Sequence, residues 1–475
     1  MPISEVTRVN AHVPVSQPEA AQSSPAERNA ARTLVRANNR MVRMQRDAAS
    51  PLWNMTTQGD VAKVESLLKD SRIDPNASPP GCHGMRPLHQ AVRNGDVAMV
   101  KALIGAPRLY ADAPDDQGVT PLYDAAERGN TEIAAALLEK ADPNCANGSH
   151  GTALHAAALY GHVQIVDLLL DRGDADTADA NGATALHVAI GTGNADMVRA
   201  LLRKADPDIA DGNGVPALHL CVGRGQLDLL PDLLCKANPN ATDRQGNTAL
   251  HLAACIGNAA MVAALLQRCD CTIGGIGGYT ALFMAARCGN LDAMNILLER
   301  TDPNQVTSGG FTPLHIAAYR GHVHIVNALI GRSNVQACTG NGATALHLAA
   351  ARGHRAVVDA LLSVVDPDIR DAQGLTPLYL AASRGNLDVV NALLEQADPD
   401  IAAPDGSTAL HAATDQGHIQ TVQALLTRAD PDACKHDGVT ALHLAASQDQ
   451  LRLVRLLLES ANPDARTRSG ATPLH

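Results

Sequence analysis

Between residues 312 and 344 the chain reads TPLHIAAYRGHVHIVNALIGRSNVQACTGNGAT, and its apolar positions fall in two short clusters. The first is Leu314, Ile316, Ala317 and Ala318, which follows Thr312 and Pro313 and stops at Gly321. A Thr just outside a helix accepts hydrogen bonds from its first free amides. A Pro at the first helical position loses nothing, because its missing N–H has no intrahelical partner there. Gly closes helices that end with positive φ. The second cluster, Ile325, Val326, Leu329 and Ile330, has the i, i+1, i+4, i+5 spacing of one buried helical face. A polar loop containing Gly342 then leads to Thr344. The pattern predicts helix, Gly turn, helix, loop.

The same phrase recurs at 32-residue steps from Thr120 to Thr472, with Pro216 in the one slot that lacks Thr. Less regular copies begin at Ser50 and Arg86. The turn Gly recurs from Gly129 through Gly417, and Asp449 stands where the next one is due. Self-similarity at such a period marks a stacked repeat architecture, in which each unit buries its apolar face against its neighbours. A hydroxyl and an imidazole three residues apart, as in Thr344 and His347, could begin a nucleophilic site. Ten repeats carry the His, and Tyr123, Phe283 and Tyr379 fill its slot elsewhere, which suits scaffolding and not catalysis.

The phrase TPLHIAAYRGHVHIV resembles the ankyrin repeat, and the resemblance covers roughly residues 50–475. It implies an all-α solenoid of stacked helix-turn-helix units with projecting hairpin loops. It also implies a role in binding other proteins, and a Thr–His pair that fixes the turn into the first helix. The sequence departs from the family at one point. Segments such as LLEKADPN (137–144) lack the Gly that normally ends the second helix, so the period is 32 and not 33. A Pro follows just beyond in most copies, preceded by Asp or Asn; across eleven periods that slot runs from Asp142 to Asn462. Pro pushes the residue before it toward extended geometry. These Asp and Asn residues are therefore expected to be extended and to form Asx turns. A second polar row follows two residues later, at Asn144, Asp208, Asp368, Asp400, Asp432 and Asp464. Calcium could use such oxygens, but rungs spaced like packed helices, about 8–10 Å apart, are too far for one ion to bridge.

Composition narrows the class further. Aromatic residues are 2% of the chain, so Ala, Leu, Val and Ile must fill the core. The net charge of −11 divides unevenly, with seven Arg against four acids in residues 1–47 and an acidic remainder. An acidic body disfavours nucleic acid as a partner. Ten Cys follow no repeating slot, and only Cys269 and Cys271 are close in sequence, which points to a reducing compartment and a cytoplasmic protein. No apolar run is long enough for a bilayer. No metal or cofactor motif is present, and a monomer is expected.

Residues 1–27, rich in Ser, Pro, Gln and Ala, read as a disordered leader. Residues 28–48 read as a basic amphipathic helix, with Arg28, Arg32, Arg36, Arg40 and Arg43 on one side. Its two readings are an N-terminal cap on the repeats and a surface for membranes or acidic partners. Residues 49–475 form the repeat domain, with thirteen full repeats and the start of a fourteenth. The break at GATPLH (470–475) suggests that more repeats or another domain follow.

Function is expected at the positions the framework leaves variable: loop tips, the residue before each Thr, and the two residues before each turn Gly. Tyr279, Phe311 and Leu375 occupy the first of these helix-flanking slots, while Arg287, Tyr319, Arg320, Arg352 and Arg384 lie at the second. Tyr and Arg dominate interface hot spots, so these eight residues are the candidate partner-binding surface, suited to an acidic or apolar contact face. Phe283 replaces a framework His and is set aside as core. The resulting reading is a non-catalytic protein–protein interaction scaffold. The alternative is the targeting arm of a larger enzyme, or of a bacterial effector injected into a host cell's cytoplasm or nucleus.

Overall fold

A computed structural model describes residues 51–148 and 150–473. The leader, the basic helix expected over 28–48 and the last two residues lie outside the described residues. The chain divides into two units, Met1–Pro121 with Ala135–Ala141, and Leu122–Ala134 with Asp142–His475.

In the first unit, helices Val61–Leu68 and Val97–Ile104 pack together, and Pro87–Arg93 packs on the latter. Asp60 and Asp96 cap two of these helices by accepting from the amides of Lys63 (3.0 Å) and Met99 (2.9 Å). Leu88, Val92, Met99, Val100 and Leu103 are its buried core.

The second unit is a series of helix pairs. Leading helices Ala249–Ile256, Ala281–Cys288, Pro313–Arg320 and Ala345–Arg352 pack each on the next, and so do trailing helices Ala259–Leu265, Leu291–Leu297, Val323–Ile330 and Arg355–Leu362. The leading helices meet through Ala pairs such as Ala317–Ala318 and Ala349–Ala350, all fully buried. Side chains this small let helix backbones approach closely, which explains a core with almost no aromatics. In the trailing helices Ile325, Val326 and Leu329 are buried as the spacing predicts, while Ile330 is only half-buried.

Two local devices set the turns. Gly321 closes its helix at φ 81°, and a Cβ there would also meet the His354 ring at 2.7 Å. The exit from the trailing helix is made by the expected Asx turns. In all eleven periods from Asp142 to Asn462 the side-chain oxygen accepts from the amide two residues on, at 2.8–3.1 Å. None of the eleven has positive φ. Where the second polar row is Asp or Asn, from Asn144 to Asp432, its side chain accepts from the amide of the Asp or Asn that starts the next period's turn. These oxygens therefore tie one repeat to the next. The loops form isolated antiparallel bridges such as Ala178↔Thr184, and among the described residues no strand is assigned. Each loop is too short for a ladder; Gly340 N–H donating to the Gly309 carbonyl (3.0 Å) shows how neighbouring loops join.

Candidate partner-binding surface

The repeated Thr and His do structural work. In the repeat at Thr344, His347 Nδ1 accepts from the Thr344 amide (3.2 Å) and lies 2.8 Å from Thr344 Oγ1. A ring nitrogen that accepts carries no proton, so the proton sits on Nε2. Nε2–H donates to the Leu375 carbonyl of the next repeat at 3.1 Å. One imidazole thus completes a helix cap and joins two repeats. His155, His187, His251, His411 and His443 do the same. Burial holds His347 below its ordinary value and His315 down to about 4, so these rings stay neutral. With both nitrogens engaged in fixed bonds, the His347 ring is not available as a general base.

The joint also holds the candidate residues in place. The carbonyls of Tyr279 and Leu375 accept from His251 (2.8 Å) and His347, which pins their backbone and leaves the side chains free for other work. Tyr279, Arg287, Phe311, Tyr319 and Arg320 converge, with Phe283 and Ile316, around a surface pocket of 340 Å³. Tyr279 is exposed, while Phe311 and Tyr319 are half-buried. Phe283, set aside as core, is indeed buried but also lines the pocket, its ring 4.9 Å from that of Tyr279. Arg352 lies over the Tyr319 ring at 4.0 Å, a cation–π contact that extends the cluster into the next repeat. Leu375 and Arg384 do not line the pocket; Leu375 is half-buried and Arg384 exposed farther along the repeats.

Family models described as ankyrin repeats (3 copies) match residues 48–147, 137–211, 218–307, 296–371 and 358–433, and a single ankyrin repeat model matches 437–468. The chain belongs to the ankyrin repeat family. It is 32% identical over 127 residues to ankyrin repeat domain-containing protein 13C of Danio rerio, covering 26% of this chain and 25% of that protein. The matched stretch thus spans about a quarter of that relative's length. A solved structure of the human ASB11 ankyrin repeat domain is 31% identical, with a TM-score of 0.40, covering 44% of this chain and 98% of that one.

Ankyrin repeats are in general protein–protein interaction modules. Three arginines on or after the trailing helices have carboxylate partners in the protein: Arg199 pairs with Asp232 (2.8 Å) and Asp196 (3.0 Å), Arg203 with Asp167, and Arg355 with Asp359 (2.7 Å). The exposed row of Arg287, Arg320, Arg352 and Arg384 has no ion pair among the described residues.

Three features escaped the reading of the sequence. Leu159 and Tyr160, about half exposed, fill the two slots before Gly161 and form a separate apolar pair on an earlier repeat. The residue after the turn Gly forms a second inter-repeat bond: His354 Nε2 donates to the Tyr319 carbonyl (3.0 Å), and Asn386 Nδ2 to that of Ala350 (2.9 Å). A polar residue in that slot was the available signal. The third is a contact between Cys255 and Cys288.

Proposed function

We propose that this ankyrin repeat chain is a non-catalytic scaffold whose repeats beginning at Thr280 to Thr376 bind a partner protein presenting an acidic group beside an apolar one. The observation that carries this reading is the aromatic pocket bordered by an Arg row without internal carboxylate partners. An apolar side chain would fill the space between Tyr279, Phe311 and Tyr319, and a neighbouring carboxylate would meet Arg287 or Arg320. Bidentate Arg–carboxylate pairing adds direction to the contact. The ten free thiols fit a reducing, cytoplasmic setting.

Panning a displayed random-peptide library on the purified protein tests this. Enriched peptides should place Asp or Glu next to Leu, Phe or Trp. Replacing Tyr279, Phe311 and Tyr319 together with Ala should weaken the selected peptides by about 30-fold or more, the hot-spot scale of roughly 2 kcal/mol. The melting temperature should stay within a few degrees. Peptides that bind the triple variant equally well would exclude this surface.

A further inference from the structure

All ten cysteines are free thiols, yet two of them meet across a repeat junction. Cys255 is the second residue before Gly257, and Cys288 is the residue just before Gly289. They sit at the ends of leading helices Ala249–Ile256 and Ala281–Cys288, which pack side by side, and their Sγ atoms are 2.7 Å apart. Both are half-buried, beside exposed Ile256 and Arg287. The pair that is close in sequence is arranged differently: Cys269 Sγ donates to the Pro239 carbonyl (3.3 Å) and Cys271 Sγ to that of Arg300 (3.7 Å).

We propose that Cys255 and Cys288 are a reversible dithiol–disulfide modification site that staples the repeats beginning at Thr248 and Thr280, with a low-molecular-weight disulfide as the oxidant. The sulfurs lie 2.7 Å apart, already inside ordinary non-bonded contact and close to the bonded distance of about 2.05 Å. In the first step the Cys255 thiolate, having lost its proton to water, attacks one sulfur of the oxidant. A mixed disulfide forms and the oxidant's other half leaves as a thiolate. In the second step Cys288, deprotonated, attacks the Cys255 sulfur and expels the remaining half. The protein loses two hydrogens and the oxidant becomes two thiols, so atoms and electrons balance. Burial, followed by the hydrogen bond with Cys255, pushes the Cys288 thiol up to about 11, which fits the resolving role. Once Cys255 carries the mixed disulfide that hydrogen bond is gone, and the charges of Arg287 and Arg320 favour the Cys288 thiolate. Because Arg287 also lines the aromatic pocket, the staple would fix one edge of that surface.

Trypsin places the two sulfurs on separate peptides, 245–268 and 288–300, with Cys269 and Cys271 on a third. The folded full-length chain, treated with glutathione disulfide, alkylated and digested, should yield peptides 245–268 and 288–300 joined, at a mass two hydrogens below their sum. Dithiothreitol should release them. Cys288→Ser, with its helical circular dichroism unchanged, should leave Cys255 as a stable mixed disulfide. Three results would each overturn the proposal: both residues fully alkylated, both separately glutathionylated, or either joined to Cys269 or Cys271 in the folded protein.

Discussion

Thr344 and Pro216 hold the same slot in two repeats, and only one of them completes its joint. His347 takes the Thr344 amide on Nδ1 and gives its Nε2 proton to the next repeat. His219 still donates to the Asn247 carbonyl at 2.8 Å, but its buried Nδ1 has no partner, because Pro216 offers neither an amide N–H nor a hydroxyl. The repeat nevertheless folds with the helix Ala217–Gly223 in register. The two tasks of the imidazole are therefore separable: stacking on the next repeat survives the loss of the cap within its own. This also explains why Tyr123, Phe283 and Tyr379 are tolerated in the slot. What it requires is a group that fills buried space, and each further hydrogen bond adds to that.

Acid should produce the largest effect, because it acts on intact and broken joints alike. Burial depresses His155, His187, His219, His251, His315, His347 and His411 below their ordinary 6.5, His315 to about 4. Between those limits the unfolded chain binds protons that the folded chain refuses. The stabilisation is therefore complete above about pH 6.5 and is lost as pH falls toward 4. Each unit of depression corresponds to about 1.4 kcal/mol per ring. Thermal melts from pH 7.5 to 4.5 should show a steady drop in melting temperature, and a flat profile would mean that the rings are not held neutral.

Pro216→Thr bears directly on the broken joint. It supplies the amide and hydroxyl that His219 lacks, removing an unsatisfied group whose cost is about 1–3 kcal/mol. It also gives back some of Pro's restriction of the unfolded chain, about 0.4–1 kcal/mol. A net gain of about 1 kcal/mol in urea unfolding is expected; a loss would mean that the vacant nitrogen is not what separates the two repeats.

The smallest effect concerns the turn. Asp449, in the Gly slot, adopts φ 55°, whereas Gly321 reaches 81° without a Cβ to clash. Asp449→Gly should stabilise its repeat by about 0.5 kcal/mol, a modest share of the usual left-handed penalty because Asp tolerates that region better than most residues. Hydrogen exchange at the amides of Gln450 and Leu451 would register the slower opening, and faster exchange would contradict it.

Much of this was legible in the sequence because the same physics acts at every period. A Thr followed by a His three residues later, a Gly nine residues after the Thr, and Asp-Pro after the second helix each announce one local bond, and repetition separates signal from accident. The exit turn at Asp142 was readable from the Asp and the Pro143 that follows it. The pocket was legible only in part. Tyr279, Phe311, Tyr319, Arg287 and Arg320 share slots that face the same way, so they were found together. Leu375 and Arg384 occupy equivalent slots but lie farther along the repeats. Slot identity gives direction; the size of a depression depends on how neighbouring side chains fill it. Phe283 shows the same limit, since a residue read as core can also form a wall. The Cys255–Cys288 contact was hidden because the two residues are 33 apart, one more than the period, and sit in different slots.

The inter-repeat bond from His347 to the carbonyl ahead of Thr376 has a consequence for how such a chain can change its length. Because a joint involves only two consecutive periods, a segment excised or duplicated in phase, from one Thr to another, brings together ends that already carry complementary donors and acceptors. Recombination between stretches that share these framework positions would then preserve the fold, while moving, copying or deleting whatever binding surface the segment carried.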